Sequence, residues 1–277
     1  MIKRDISRVL HNIDLAGKRI SRTGGLYGIH KVHDLILSRK DISLAESAIR
    51  QEREIVYNGS DNFDLNGLKR GVVYCLLSTL QKFEGHINAF NCLYTANLRL
   101  LIDLNDTKRV AEVLRSAGIM FYNQKAERIK STSETITAQT LELITQSIRQ
   151  SREQEVDLRS ELVTKKTGLG LKTCSMLLRM SGAQFLVPMD NWMTEMLYFH
   201  GYPCEMPRTK ITRKMWRSDN FTTQDRKTGL KGDSYLEAEE FALDLAQKYE
   251  IPGYLLQMAF YTTRSSFTGT EFYAKYK

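Results

Sequence analysis

The sequence predicts an all-α protein. Apolar residues recur at spacings of three and four over most of the chain, which is typical of amphipathic helices. No stretch shows the sustained alternation that a half-buried strand requires. Two glycines, Gly168 and Gly170, interrupt one helical run with a single residue between them, a pattern that predicts two helices joined by a tight turn. The 277 residues are 42% hydrophobic and 26% charged, a composition that can build a real core.

The N-terminal part is predicted to be a helical extension of residues 1–60. Helical patterns begin near Ile6, Leu26 and Asp41. The turn-rich run of residues 58–64 then marks the best boundary. The remaining residues, 61–277, are predicted to form the main domain.

The main domain is predicted to be helical throughout. The predicted helices cover residues 66–82, 86–103, 107–117, 122–130, 138–150 and 154–166, a further run from Leu171, and a C-terminal pair within residues 234–268. Residues 157–182 form the predicted hairpin, and residues 203–232 lie between it and the C-terminal pair.

The hairpin centres on Gly168-Leu169-Gly170. Glycine permits the positive φ that such a turn needs and lets another backbone approach closely. Because the amides at the start of the second helix point outward, the hairpin is expected to bind a DNA phosphate without reading the base sequence. Lys172 lies two residues after the second glycine, and Asp190 follows further on, directly after Val187-Pro188-Met189.

This arrangement resembles the helix-hairpin-helix DNA glycosylases, whose signature is Gly-x-Gly-x-Lys followed by an apolar segment and an Asp. The run from Gly118 to Ile129 contains Phe-Tyr-Asn-Gln-Lys-Ala and is similar to the compact, thermostable type of 8-oxoguanine DNA glycosylase/lyase. The resemblance covers residues 66–270 in order. It implies a two-lobed helical fold, to which the N-terminal segment is an addition.

The resemblance also implies a reaction. A base inside a duplex has to be flipped out before it can be excised, and the expected base is 8-oxoguanine. Lys172 would attack C1′ and form the Schiff base that permits β-elimination, a reaction for which a lysine must be neutral. Asp190 would stabilise the positive charge that builds on the sugar. Lys166 and the pair Asn191-Trp192 depart from the family pattern, and these departures bear on the substrate more than on the chemistry.

Further DNA contacts are predicted in two segments. In relatives, the turn after the first core helix often holds a polar residue that fills the gap left by the flipped base, and here it holds Gln81. The local pattern is one residue longer than usual, so a solvated turn glutamine is the alternative. The resemblance puts Asn123 and Lys125 close to the DNA or the lobe interface, and a plain charged helix start is the alternative.

The segment of residues 203–232 is predicted to be a basic insert. Trp216 and Phe221 are interleaved with its basic residues, which suits phosphate contact together with base stacking. The basic residues predicted to bind DNA are Arg208, Lys210, Arg213 and Lys214. A flexible, solvated loop is the alternative interpretation.

Composition argues against several other classes of protein. Four scattered cysteines form no Cys-x-x-Cys pair, and three lie in apolar helical contexts that favour buried thiols. No metal or cofactor is expected, apart from a monovalent cation at the hairpin. Neither a signal peptide nor a membrane-spanning run is recognisable. The expected protein is a cytoplasmic monomer, nucleoid-associated if its source is prokaryotic, whose partner is double-stranded DNA containing a damaged or modified base.

Two alternatives to an 8-oxoguanine glycosylase stay open. One is a glycosylase for another, bulkier modified base, for example in foreign or phage DNA. The other is a helix-hairpin-helix protein that binds DNA without chemistry. The Lys172–Asp190 pair favours an enzyme.

Overall fold

The computed structural model describes residues 37–57, 64–78, 83–95, 98–164, 169–190 and 233–267, together with Met193 and Leu197. Within these residues the chain is helical, and strand-type pairing is limited to an isolated antiparallel bridge between Tyr94 and Leu100. The predicted all-α class is therefore confirmed.

Ten helices have defined bounds in this part of the chain. They are α1 Arg39–Tyr57, α2 Leu65–Ser78, α3 Phe83–Leu93, α4 Thr107–Ser116, α5 Tyr122–Thr135, α6 Ala138–Ser147, α7 Arg152–Thr164, α8 Leu171–Ser181, α9 Asp233–Lys248 and α10 Gly253–Phe267. Their order follows the prediction from the sequence.

The two largest errors among the predicted helix ends lie in α3 and α5. The helix predicted to reach residue 103 stops at Leu93, because the chain reverses through the Tyr94–Leu100 bridge and a positive φ of 57° at Leu98. The helix predicted to stop at residue 130 continues to Thr135, since Thr132 is buried and extends the packed face of α5.

The chain forms two compact units, one of residues Ile49–Pro188 and the other of Met1–Ala48 with Met189–Lys277. In the first unit α2 is the central helix, and it packs against α3, α5 and α8. Its residues from Gly71 to Leu77 are all buried, as expected for a helix covered on every side. A Cβ at Gly71 would lie only 2.6 Å from the Tyr57 hydroxyl, so a glycine is needed for this close packing.

In the second unit, α9 and α10 pack against each other. Their buried residues include Tyr235, Phe241, Leu255, Leu256 and Phe260. The helices described here include none that is long and apolar enough to cross a membrane.

The cysteines agree only in part with the sequence prediction. Cys75 and Cys174 are buried, whereas Cys92 is exposed although its helical context favoured burial. Cys204 lies outside the described residues. Among the residues that are described, no three His, Cys, Asp or Glu side chains come together as metal ligands.

Candidate active site

Lys172 lies in the first turn of α8, directly after the glycine turn. Gly170 is the N-cap, with an extended backbone (φ −88°, ψ 173°) and no capping side chain. The positive φ suggested for the turn is therefore absent at Gly170, and Gly168 lies outside the described residues. Among the described residues, no heavy atom lies within 4 Å of the position a Cβ would take at Gly170. Because Gly170 has no side chain, the N-cap itself does not cover the first amides of α8, as an anion site requires.

Leu169 anchors this turn from inside. Its side chain is buried, while Gly170 is exposed. The Gly170 carbonyl accepts a hydrogen bond from the amide of Cys174 at 2.9 Å and so starts the helical ladder. Because the Leu169 side chain faces inward, contact between this turn and a phosphate has to come from the backbone.

The thiol nearest to Lys172 in sequence does not compete with it as a nucleophile. Cys174 is buried, and burial raises the pKa of its thiol to about 12. The reactive form of a cysteine is the thiolate, so Cys174 stays inert at neutral pH. Lys172 is half-buried, which leaves part of its side chain accessible.

Buried polar contacts hold α8 in place behind Lys172. Arg179 Nη2 lies 2.5 Å from Glu52 Oε2, and the Tyr74 hydroxyl donates to Glu52 Oε1 at 3.2 Å. On α7, the fully buried Arg159 donates to the hydroxyl of Ser175 at 3.0 Å. Burial raises the pKa of Glu52, while the charge of Arg179 lowers it. Removing one partner of such a buried pair leaves the other charge buried and uncompensated, which is strongly destabilising. These contacts therefore fix the helix that carries Lys172.

The end of α8 is fixed by the buried carboxylate of Glu155. Its Oε1 accepts from the amides of Arg149 at 3.0 Å and Gln184 at 2.9 Å, and its Oε2 accepts from Phe185 at 2.7 Å. Gly182 follows α8 with φ 108°, and a Cβ there would lie 2.6 Å from Arg149 Nη2. These contacts define the path of the chain after α8.

Asp190 is half-buried, and both of its carboxylate oxygens accept hydrogen bonds. Oδ1 accepts from the amide of Met193 at 2.8 Å, which is the contact that a helix N-cap side chain makes. Oδ2 accepts from Nε2 of Gln257 at 3.1 Å. The sequence pointed to Asp190 but not to Gln257, because nothing in the local pattern links residues so far apart in the chain.

Lys125 lies inside the protein, with 6% of its surface exposed. Its Nζ donates to the carbonyl of Leu77 at 2.9 Å, close to the end of α2. Burial, and secondarily the charge of Arg128, lower the pKa of Lys125 to about 8. The carbonyl that Lys125 binds lies in the last turn of α2, where a cation is favourable. Asn123, in the first turn of α5, is exposed instead.

Phe121 is a candidate DNA-facing residue that the sequence analysis did not single out. Its side chain is 54% exposed, and that of the neighbouring Met120 is 52% exposed. Phe121 also has a left-handed backbone, with φ 57°. The sequence drew attention to this segment through its motif, but it carried no signal that the ring faces solvent.

The remaining predicted DNA contacts lie outside the described residues. They are Gln81, Gly168, Arg208, Lys210, Arg213 and Lys214. Their roles stay predictions.

The described part of the chain is helical, with a lysine at the start of the second hairpin helix and an aspartate after it that makes an N-cap contact. These are features of a helix-hairpin-helix DNA glycosylase. The chain belongs to the 8-oxoguanine DNA glycosylase family, because the family model described by that name matches residues 49–223. The family resemblance and the enzyme class predicted from the sequence, a DNA glycosylase, are confirmed.

Three solved structures share the fold. Tm1821, the 8-oxoguanine DNA glycosylase of Thermotoga maritima, is 18% identical, with a TM-score of 0.57 over 84% of this chain and 94% of that one. The Methanocaldococcus jannaschii 8-oxoguanine glycosylase/lyase, in complex with a 15mer DNA containing 8-oxoguanine, is 18% identical, with a TM-score of 0.56 over 80% and 91%. A second structure, of the M. jannaschii 8-oxoguanine DNA glycosylase, is 20% identical, with a TM-score of 0.55 over 87% and 98%.

Proposed function

We propose that this chain excises 8-oxoguanine from double-stranded DNA and then cleaves the strand, with Lys172 as the nucleophile. The observation that carries the proposal is the position of Lys172. In a member of this family, it occupies the first turn of α8, directly after a glycine N-cap that has no side chain.

In the proposed reaction, the Nζ of neutral Lys172 attacks C1′ of the flipped nucleotide. The bond from C1′ to the base breaks, and the base leaves with a proton. The sugar ring opens to give a Schiff base between Lys172 and C1′. Loss of a proton from C2′ then expels the 3′-phosphate, and hydrolysis of the imine releases the enzyme.

Asp190 supplies negative charge for this reaction. Positive charge builds on the sugar as the bond to the base breaks, and a fixed carboxylate stabilises that charge. The hydrogen bonds from Met193 and Gln257 are made by uncharged groups, so they orient the carboxylate without neutralising it.

We propose that Phe121 distorts the duplex by inserting its side chain between base pairs. Exposed apolar side chains can insert between base pairs and unstack them. The buried Ile119 fixes the chain just before the two exposed apolar residues. The amine of Lys125 ties the first turn of α5 to the last turn of α2, the helix that leads to the turn containing Gln81.

Several expectations from the sequence remain part of this proposal. The enzyme would work as a monomer in the cytoplasm, at the nucleoid if the source is prokaryotic, without a membrane partner. Residues 1–60 are an N-terminal extension, the 203–232 insert binds DNA through its basic residues, and a monovalent cation binds at the hairpin. The insert and the departures at Lys166 and Asn191-Trp192 also favour the second candidate, a glycosylase for a bulkier modified base.

The test is single-turnover excision from a duplex that carries one 8-oxoguanine. We expect Asp190→Asn to lower the rate by about 10²- to 10³-fold, the typical effect of removing one electrostatic contact in a transition state. Asp233→Asn, at an exposed acid of the same unit, serves as the control and is expected to keep the wild-type rate. A folded Asp190→Asn variant with the wild-type rate would contradict the assignment. Wild-type activity only on another modified base would favour the second candidate.

A further inference from the structure

We propose that Gln257 is a positioning residue that orients the carboxylate of Asp190 for base excision. This inference rests on the proposed function, because it assigns Gln257 a part in the same reaction. The carrying observation is the hydrogen bond from Gln257 Nε2 to Asp190 Oδ2, at 3.1 Å.

The segment around Asp190 is tied to both C-terminal helices. The amide of Met189 donates to the hydroxyl of Tyr235 on α9 at 3.1 Å, and Tyr235 is buried. Asp190 itself accepts from Gln257 on α10. Met189 is therefore hydrogen-bonded to α9, and the next residue, Asp190, is hydrogen-bonded to α10.

Gln257 is well placed to hold a partner rigidly. Its neighbours Leu256 and Met258 are buried, as is Phe260 one turn later, so the backbone of α10 at this point is fixed by packing. Gln257 is itself half-buried, which limits the conformations of its side chain. A hydrogen-bond donor on a packed helix, with a half-buried side chain, holds its acceptor more precisely than a donor on an exposed side chain does.

The hydrogen bonds from Met193 and Gln257 reach different oxygens of Asp190. The Met193 amide donates to Oδ1, and Gln257 donates to Oδ2. Contacts on both oxygens restrict rotation of the carboxylate about the Cβ–Cγ bond. Each carboxylate oxygen has more than one lone-pair direction, so a carboxylate held in this way can still face the sugar.

The experiment replaces the donor and measures base excision. We expect Gln257→Leu to lower the single-turnover rate by about tenfold, the effect of losing one hydrogen bond to a charged group, with little change in the KM for the duplex. Gln247→Leu is the matched control, since Gln247 is exposed on α9, and it is expected to keep the wild-type rate. Equal rates for Gln257→Leu and the wild type would overturn the proposal.

Gln257→Glu separates orientation from packing. Glutamate fills nearly the same space but places a second carboxylate against Asp190. At pH 8 we expect Gln257→Glu to be slower than Gln257→Leu, because like charges repel. A Gln257→Glu variant that is faster than Gln257→Leu would show that shape alone matters and would overturn the assignment.

A double variant tests whether the two residues act together. In an Asp190→Asn background we expect Gln257→Leu to cause no further tenfold loss, because residues that act as a unit are not additive. The melting temperatures of the two single variants and the double variant provide a readout without DNA. Additive losses in melting temperature would show that the side chains are uncoupled and would overturn the proposal even if the wild type excised no base. Coupled melting temperatures without any excision would instead contradict the proposed function.

Discussion

Phe121 combines an unfavourable backbone conformation with an exposed side chain. A bulky residue with positive φ is uncommon, and such a backbone costs about 1–3 kcal/mol. The residue is also more than half exposed to water, so its ring gains less from burial than a core phenylalanine does. The proposed insertion of Phe121 into the duplex accounts for both features.

We therefore expect Phe121→Ala to weaken binding to a duplex containing 8-oxoguanine by about tenfold. Stacking of an aromatic ring on a base is worth about 1–3 kcal/mol, and alanine removes the ring. Titration with a fluorescently labelled duplex would measure the change. Leu236→Ala, at another exposed apolar position, is the control. Equal effects of the two substitutions would contradict a specific role for Phe121.

At the scale of residues, the sequence indicated the two residues proposed for the chemistry but not the contacts that support them. Lys172 and Asp190 were recognisable because they occupy fixed places relative to the glycine turn. Gln257 and Glu155 act through partners that only the fold brings near, so no local pattern could indicate them. Lys125 was predicted to bind DNA, and its sequence context could not show that its amine reaches the Leu77 carbonyl.

At the scale of elements, Lys125 couples the start of α5 to the end of α2 through a titratable contact. Its pKa falls from 10.5 to about 8 in the folded protein. Between these two values the unfolded chain holds the proton more often than the folded one does. Stability therefore rises with pH across this window.

We expect the free energy of unfolding of the wild type to rise from pH 8 to pH 10, relative to that of Lys125→Met. The relative slope is at most about 1.4 kcal/mol per pH unit, the value for one proton. Urea unfolding at several pH values would measure it. Lys108→Met, at an exposed lysine of α4, is the control. If the difference in free energy of unfolding between the wild type and Lys125→Met did not change with pH, the lowered pKa of the Lys125 amine would be contradicted.

The sequence predicted which elements exist better than where they end. The interior of α2 is an apolar run, and the hairpin helices are separated by glycines, so their existence was clear. The end of α3 was missed because Leu100 and Leu101 continue the apolar pattern. Both are exposed, however, and the bridge to Tyr94 takes the place of another helical turn.

At the scale of the whole molecule, the family match covers more than half of the chain. The family model covers residues 49–223, which include α8 and Asp190, while Gln257 lies beyond it on α10. Net charge adds a general preference for DNA, since the chain carries +8 and a polyanion attracts a basic protein. The fold could be predicted because its signature is local. The base, 8-oxoguanine, was predicted from the family resemblance alone, because the sequence does not say which side chains would surround it.

The central claim is that Lys172 forms a Schiff base with DNA. Borohydride reduction during reaction with a duplex that carries one 8-oxoguanine would trap this intermediate as a covalent protein–DNA band. We expect the band with the wild type and with the control Lys108→Gln, and we expect Lys172→Gln to lose it. A band that persists in Lys172→Gln, or no band for the wild type on either this duplex or an abasic one, would contradict the account.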